Sequence, residues 1–117
     1  MSCDAHALFS ALAHPLRLRT LLLLHGQGEL CVCELCHALG VSQPMISRHL
    51  AQLRAWGVVS DRRQGQWIHY RLHPELPGWA LGILRETARG LTRQAPFTGD
   101  RAALAAMPNR PGAPRCA

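Results

Sequence analysis

Three cysteines lie within six residues, in Glu29-Leu30-Cys31-Val32-Cys33-Glu34-Leu35-Cys36. Thiolates are soft donors that select thiophilic ions, and three of them without a fourth suit an ion content with three-coordination. On a regular helix Cys33 and Cys36 fall about 60° apart, whereas Cys31 stands about 200° from Cys33 and about 140° from Cys36. An intact helix therefore cannot bring all three together. An ion that takes all three must unwind or bend the first turn, and ligation then becomes motion.

Other chemistries compete for the same residues. Cys33-Glu34-Leu35-Cys36-His37 matches the C-x-x-C-H haem-attachment pattern, but that attachment follows export, and Met1-Ser2-Cys3-Asp4 opens no secretory leader. Cys33 and Cys36 also form a C-x-x-C pair, without the βαβ surroundings of a thioredoxin-like site. Sensing by thiol oxidation is a further alternative. Three cysteines in eight consecutive positions argue against inert, buried thiols. Cys3 and Cys116 stand near the termini and are expected to be idle. An odd total of five, in a chain read as cytoplasmic, points to ligands or reactive thiols rather than a disulfide framework.

The elements that must position these thiols are legible from caps and periodicity. Asp4 caps a first helix with Ala5, Leu8, Phe9 and Leu12 on one apolar face, which His14-Pro15 interrupts. Pro15 begins a second helix, to His25, ended by Gly26-Gln27-Gly28. A third, from Leu30 to Leu39, carries the cysteines and stops at Gly40. Ser42 caps a fourth, with Pro44 in its first turn and Gly57 beyond its end. Ile46, Leu50 and Leu53 form its inner stripe, leaving Gln43, Ser47, Arg48 and Arg54 outward. Two helices about Gly40-Val41 make a helix-turn-helix. After Gly57 the period drops to two, so Val58 to Arg62 and Trp67 to Leu72 form a hairpin with its tip at Arg63-Gln64-Gly65-Gln66. A last helix, Glu75 to Thr92, carries a wide apolar stripe of Leu76, Trp79, Ala80, Ile83, Leu84, Ala88 and Leu91. Residues 94–117 hold four Pro and two Gly and are expected to be a mostly disordered tail behind a domain at 1–93. The expected class is mainly α with a β-hairpin, a winged helix-turn-helix.

A length of 117 residues suits one domain and excludes a multidomain enzyme. No apolar run approaches the roughly 18 residues of a membrane span, and no membrane partner is expected. The net charge of +6, carried entirely by arginine, favours a polyanionic partner. From Ser42 to His73 five arginines (Arg48, Arg54, Arg62, Arg63, Arg71) face only Asp61, which concentrates the positive field on the fourth helix and hairpin. That distribution favours double-stranded DNA over a merely solvated basic face. Gln43 and Ser47, one turn apart, are candidates for base edges, and Arg48, Arg62 and Arg63 for phosphates. His49 serves either a phosphate or a hydrogen-bonded packing role beside Ile46. Trp56, Trp67 and Trp79 read as core or interface anchors. No nucleophile-base constellation or phosphate loop indicates catalysis.

The chain closely resembles the ArsR/SmtB family of dimeric winged-helix repressors, specifically its arsenite-responsive members. The resemblance spans about residues 5–92 and is strongest in Glu29 to Leu39, Ser42 to Leu53 and Asp61 to Leu72. It implies that Cys31, Cys33 and Cys36 bind As(III) or Sb(III) as inducer and release the repressor from its operator, with no resident cofactor. It also implies that Gln43, Ser47, Arg48 and His49 belong to the DNA-reading helix, and Arg62, Arg63, Gln64 and Gln66 to the wing. The first and last helices become a homodimer interface. Zinc-responsive relatives use paired Asp/His and His/Glu ligands on the last helix, where this chain offers only Glu86. Cadmium- and lead-responsive relatives add N-terminal ligands to Cys-x-Cys, a part open to Cys3, so a Cd(II)/Pb(II) repressor remains an alternative beside a thiol-redox sensor.

Overall fold

The computed structural model describes residues 3–108 and 110, and Cys116 lies outside them. Helix starts are set by side chains that satisfy otherwise orphaned amides. Asp4 accepts from the Ala7 N–H at 2.8 Å and opens α1 (Ala5–Leu12). His14 Nδ1 accepts from the Leu16 N–H at 3.1 Å and opens α2 (Pro15–Gln27). Strand β1 (Glu29–Cys31) leads into α3 (Val32–Leu39), which Gly40 ends in the left-handed conformation at φ 67°. Ser42 Oγ accepts from the Met45 N–H at 3.3 Å at the head of α4 (Gln43–Ala55). Strands β2 (Val59–Gln64) and β3 (Trp67–Leu72) follow, then α5 (Gly78–Leu91) and α6 (Phe97–Ala105).

The sheet is antiparallel in the order β1-β3-β2, so the central strand β3 joins the segment before α3 to the wing. Cys31 and Arg62 both stand opposite His69, one on each side of it. Leu21, Leu24, Leu30, Leu35, Leu50, Leu53 and Val58 are fully buried where α2, α3 and α4 meet this sheet. The mainly helical winged class is as expected.

Several local expectations are corrected. Leu30 and Cys31 belong to a strand rather than a third helix, because they pair with Tyr70 and His69 while the Cys31 N–H is taken by Glu34 Oε1. The hairpin strands run on to Gln64, which leaves Gly65-Gln66 as the tip, with Gly65 at φ 63°. The last expected helix begins at Gly78 rather than Glu75, since Pro77 lacks an amide hydrogen and disfavours helical backbone before it. Phe9, expected on the inner face of α1, is 56% exposed. Within the stretch expected to be disordered, Phe97–Ala105 is helical. Leu104 is buried, and the Asp100 carboxylate is bound by Arg19 at 2.7 and 3.0 Å. No single helix among the described residues is long and apolar enough to cross a membrane.

Candidate functional site

Cys31 is the N-cap of α3, with extended backbone at φ −86° and ψ 165°. Its sulfur accepts from the Glu34 N–H, and Glu34 Oε1 accepts in return from the Cys31 N–H at 2.8 Å. This is the reciprocal arrangement of a capping box with a thiol in place of the usual hydroxyl. Cys33 lies in the first turn of α3 and Cys36 one turn on, each half-buried. Burial pushes the Cys31 thiol pKa up, opposed by amide hydrogen bonds from Glu34 and Cys33, and burial likewise raises Cys36. Neither Cys31 nor Cys36 is in a disulfide. Cys33 is disulfide-bonded and needs reduction before it can act as a ligand.

All three cysteines line one cavity of about 670 Å³, together with Gln43 at the head of α4, Gln66, Trp67 and Ile68 at the wing, and Met107 and Pro108 beyond α6. The cavity therefore touches the helix and the hairpin expected to read DNA. Among the described residues no three His, Cys, Asp or Glu side chains are gathered around one point as they stand, so an ion shared by all three thiolates requires rearrangement. The sequence argument placed that strain inside a helix. The structure moves it to the junction of β1 and α3, where Cys31 must leave its cap. Cys3 is buried in the core and does not line this cavity. Glu86 is paired with Arg89 at 3.2 Å on the surface of α5.

On the outward face of α4, Gln43 and Arg48 are exposed and Ser47 is half-exposed. His49 is half-buried, its ring 4.4 Å from that of His14. Burial, then His14, Arg17 and Arg48, hold its pKa below the ordinary histidine value. Arg17 lies over the ring of Trp56, the C-cap of α4, at 5.2 Å. Arg63, Gln64 and Gln66 are exposed on the wing. Arg62 is engaged: it donates to both Glu29 oxygens at 2.7 and 2.9 Å and to Gln64 Oε1 at 2.8 Å. That pair holds the Glu29 carboxyl below its usual range. Arg54 is similarly tied to Asp61 at 2.9 Å.

Sequence reasoning missed Glu29, Glu34 and Arg110. Glu34 carried a usable signal, since a glutamate three residues after a capping position marks a capping box. Arg110, whose Nε donates to Glu34 Oε2 at 2.7 Å, carried none.

Comparison with known proteins finds relatives of the chain. Residues 14–61 match the family described as bacterial regulatory protein, arsR family. The chain is 51% identical over 106 residues to the arsenic resistance transcriptional regulator ArsR1 of Pseudomonas putida, covering 91% of this chain and 81% of that one. It is 57% identical over 82 residues to the arsenical resistance operon repressor of Escherichia coli, covering 70% of each. Among solved structures, the antimony-specific transcriptional repressor AntR superposes with a TM-score of 0.64 at 31% identity, over 74% of this chain and 76% of that one.

Proposed function

Because the chain belongs to the arsR family of bacterial regulatory proteins, we propose that it is a transcriptional repressor that holds operator DNA when empty and releases it on coordinating As(III) or Sb(III). It acts as a homodimer without enzymatic activity. The observation that carries this reading is the shared cavity, in which Cys31, Cys33 and Cys36 meet Gln43 of α4 and Gln66 of the wing.

Once an external thiol reductant has freed Cys33 from its disulfide, ligation itself changes no oxidation state. Arsenite at neutral pH is As(OH)3, and three thiols replace its three hydroxides, forming three As–S bonds and releasing three waters. Drawing Cys31 toward Cys33 and Cys36 breaks its cap on α3 and pulls on β1, whose partner β3 carries the wing. Gln43 and Ser47 then read base edges in the DNA-bound form, while Arg48, Arg63 and, once released from Glu29, Arg62 meet phosphates; His49, packed on His14, supports the same helix from its flank. The inducer shifts the equilibrium because it binds the rearranged form more tightly than the DNA-competent one. A Cd(II)/Pb(II) site that recruits Cys3 is disfavoured by the burial of Cys3 away from the cavity.

Titration of the repressor on its own upstream DNA with As(III), Sb(III), Cd(II) and Zn(II), in excess reductant, tests the reading. Release by the first two at lower concentration than by the others is expected, and release by Cd(II) alone would overturn it. The disulfide at Cys33 favours a second reading in which oxidation is the trigger. Release by oxidant with no response to arsenite under reducing conditions would establish that one instead.

A further inference from the structure

We propose that Arg110 is a positioning residue of the thiol centre, acting through Glu34 to keep Cys31 in the cap that the inducer must open. The inference rests on the reading that these thiols receive the inducer. Glu34 has a side chain only 5% exposed, and its two oxygens are divided between two tasks. Oε1 accepts from the Cys31 N–H at 2.8 Å, and Oε2 accepts from Arg110 Nε at 2.7 Å. A buried carboxylate with a single cationic partner is held firmly by it, since losing that partner leaves a charge without compensation.

The rest of the C-terminal segment fastens to the same helix. Asp100 of α6 binds Arg19, and Arg19 also donates to the carbonyl of Leu39, the last residue of α3, at 3.4 Å. The segment thus grips α3 at its C-terminal end through Arg19 and at its first turn through Arg110. Between the two grips, Met107 and Pro108 form one wall of the thiol cavity. Ligation by all three sulfurs must displace Cys31 from the Glu34 amide and from Glu34 Oε1 together. The apparent inducer affinity then scales with the fraction of molecules in which that cap is open, a fraction Arg110 keeps small.

The test compares the parent with Arg110→Ala, Arg110→Lys and, as a control on the same segment, Arg101→Ala, whose guanidinium bonds the Thr92 carbonyl away from the thiols. Three quantities are read on protein first reduced to free Cys33: operator affinity without inducer, the arsenite concentration at half-release, and the alkylation rate of Cys31. Arg110→Ala is expected to leave the first unchanged, lower the second about fivefold, the scale of one charge-assisted hydrogen bond from a partly exposed arginine, and speed the third. Arg110→Lys restores part of both changes. An unchanged midpoint and unchanged alkylation in Arg110→Ala would overturn the proposal, as would an equal shift in Arg101→Ala. If the parent itself ignores arsenite, the inducer reading fails, and Cys31 alkylation alone decides the clamp: faster in Arg110→Ala supports it, equal overturns it.

Discussion

At the scale of single residues, the proposed reading predicts that sensing and DNA binding separate. Cys31→Ser or Cys33→Ser keeps the size of the side chain and removes a soft donor. Each variant is expected to bind operator like the parent and to lose the arsenite response, checked by fluorescence anisotropy of labelled DNA. The raised thiol pKa values of Cys31 and Cys36 add a pH signature. Below its pKa a thiol is protonated, and a bare divalent cation must expel that proton, so Cd(II) affinity should rise about tenfold per pH unit for each thiol deprotonated. As(OH)3 brings its own hydroxides to accept those protons, and its affinity should stay flat between pH 6 and 8, about the neutral range. Equal pH slopes for the two, by competition titration, would contradict the ligation scheme. Among the arginines, Arg63→Ala should lower the salt slope of DNA binding by about 0.9. Arg62→Ala should lower it less, because Arg62 already neutralises Glu29, and Glu29→Gln should steepen it. Gln43→Ala should instead narrow the gap between operator and random DNA.

At the scale of elements, the C-terminal helix is a structural member of the domain. Asp100 has a side chain 5% exposed, and its partner Arg19 is one-quarter exposed. Asp100→Ala strands a partly buried guanidinium and is expected to cost about 2 kcal/mol, less than a fully buried pair because solvent reaches the arginine. Thermal unfolding measures it, and an unchanged midpoint would show α6 to be an ornament. Sequence reasoning saw α1, α2 and α4 because Asp4, Pro15 and Ser42 announce their starts locally. It saw the hairpin because Trp67 to Leu72 alternate. It missed β1, since three residues are too few for a period, and their strand character comes from pairing with β3 forty residues away, on the order of a long-range contact that no local pattern encodes. It missed α6 for the same reason. Proline and glycine around 96–99 suggest disorder, and only burial of Leu104 and capture of Asp100 by Arg19 override them. The cysteine triplet was legible as a ligand set, whereas Cys31 as a cap depended on the unseen strand.

At the scale of the whole molecule, α1 and α5 leave apolar surface without a partner: Phe9 is 56%, Trp79 45% and Leu81 36% exposed. A second copy packed isologously over α1 and α5 would cover apolar surface there and, on the proposed reading, set two α4 helices about one duplex turn apart. Sedimentation at micromolar concentration should show a dimer, and Trp79→Asp a monomer with weakened operator binding; a parent monomer with full operator affinity would refute this. The pairing of Arg62 with Glu29 across β3 also bears on how such a repressor finds its site. An arginine that must first leave an internal carboxylate gains less from an arbitrary phosphate, so on the proposed reading the molecule would linger less on random sequence. Only where the base edges also fit does exchanging Glu29 for DNA become favourable. On the proposed reading, Glu29 would act as a resident competitor for Arg62, a modest brake on binding away from the operator.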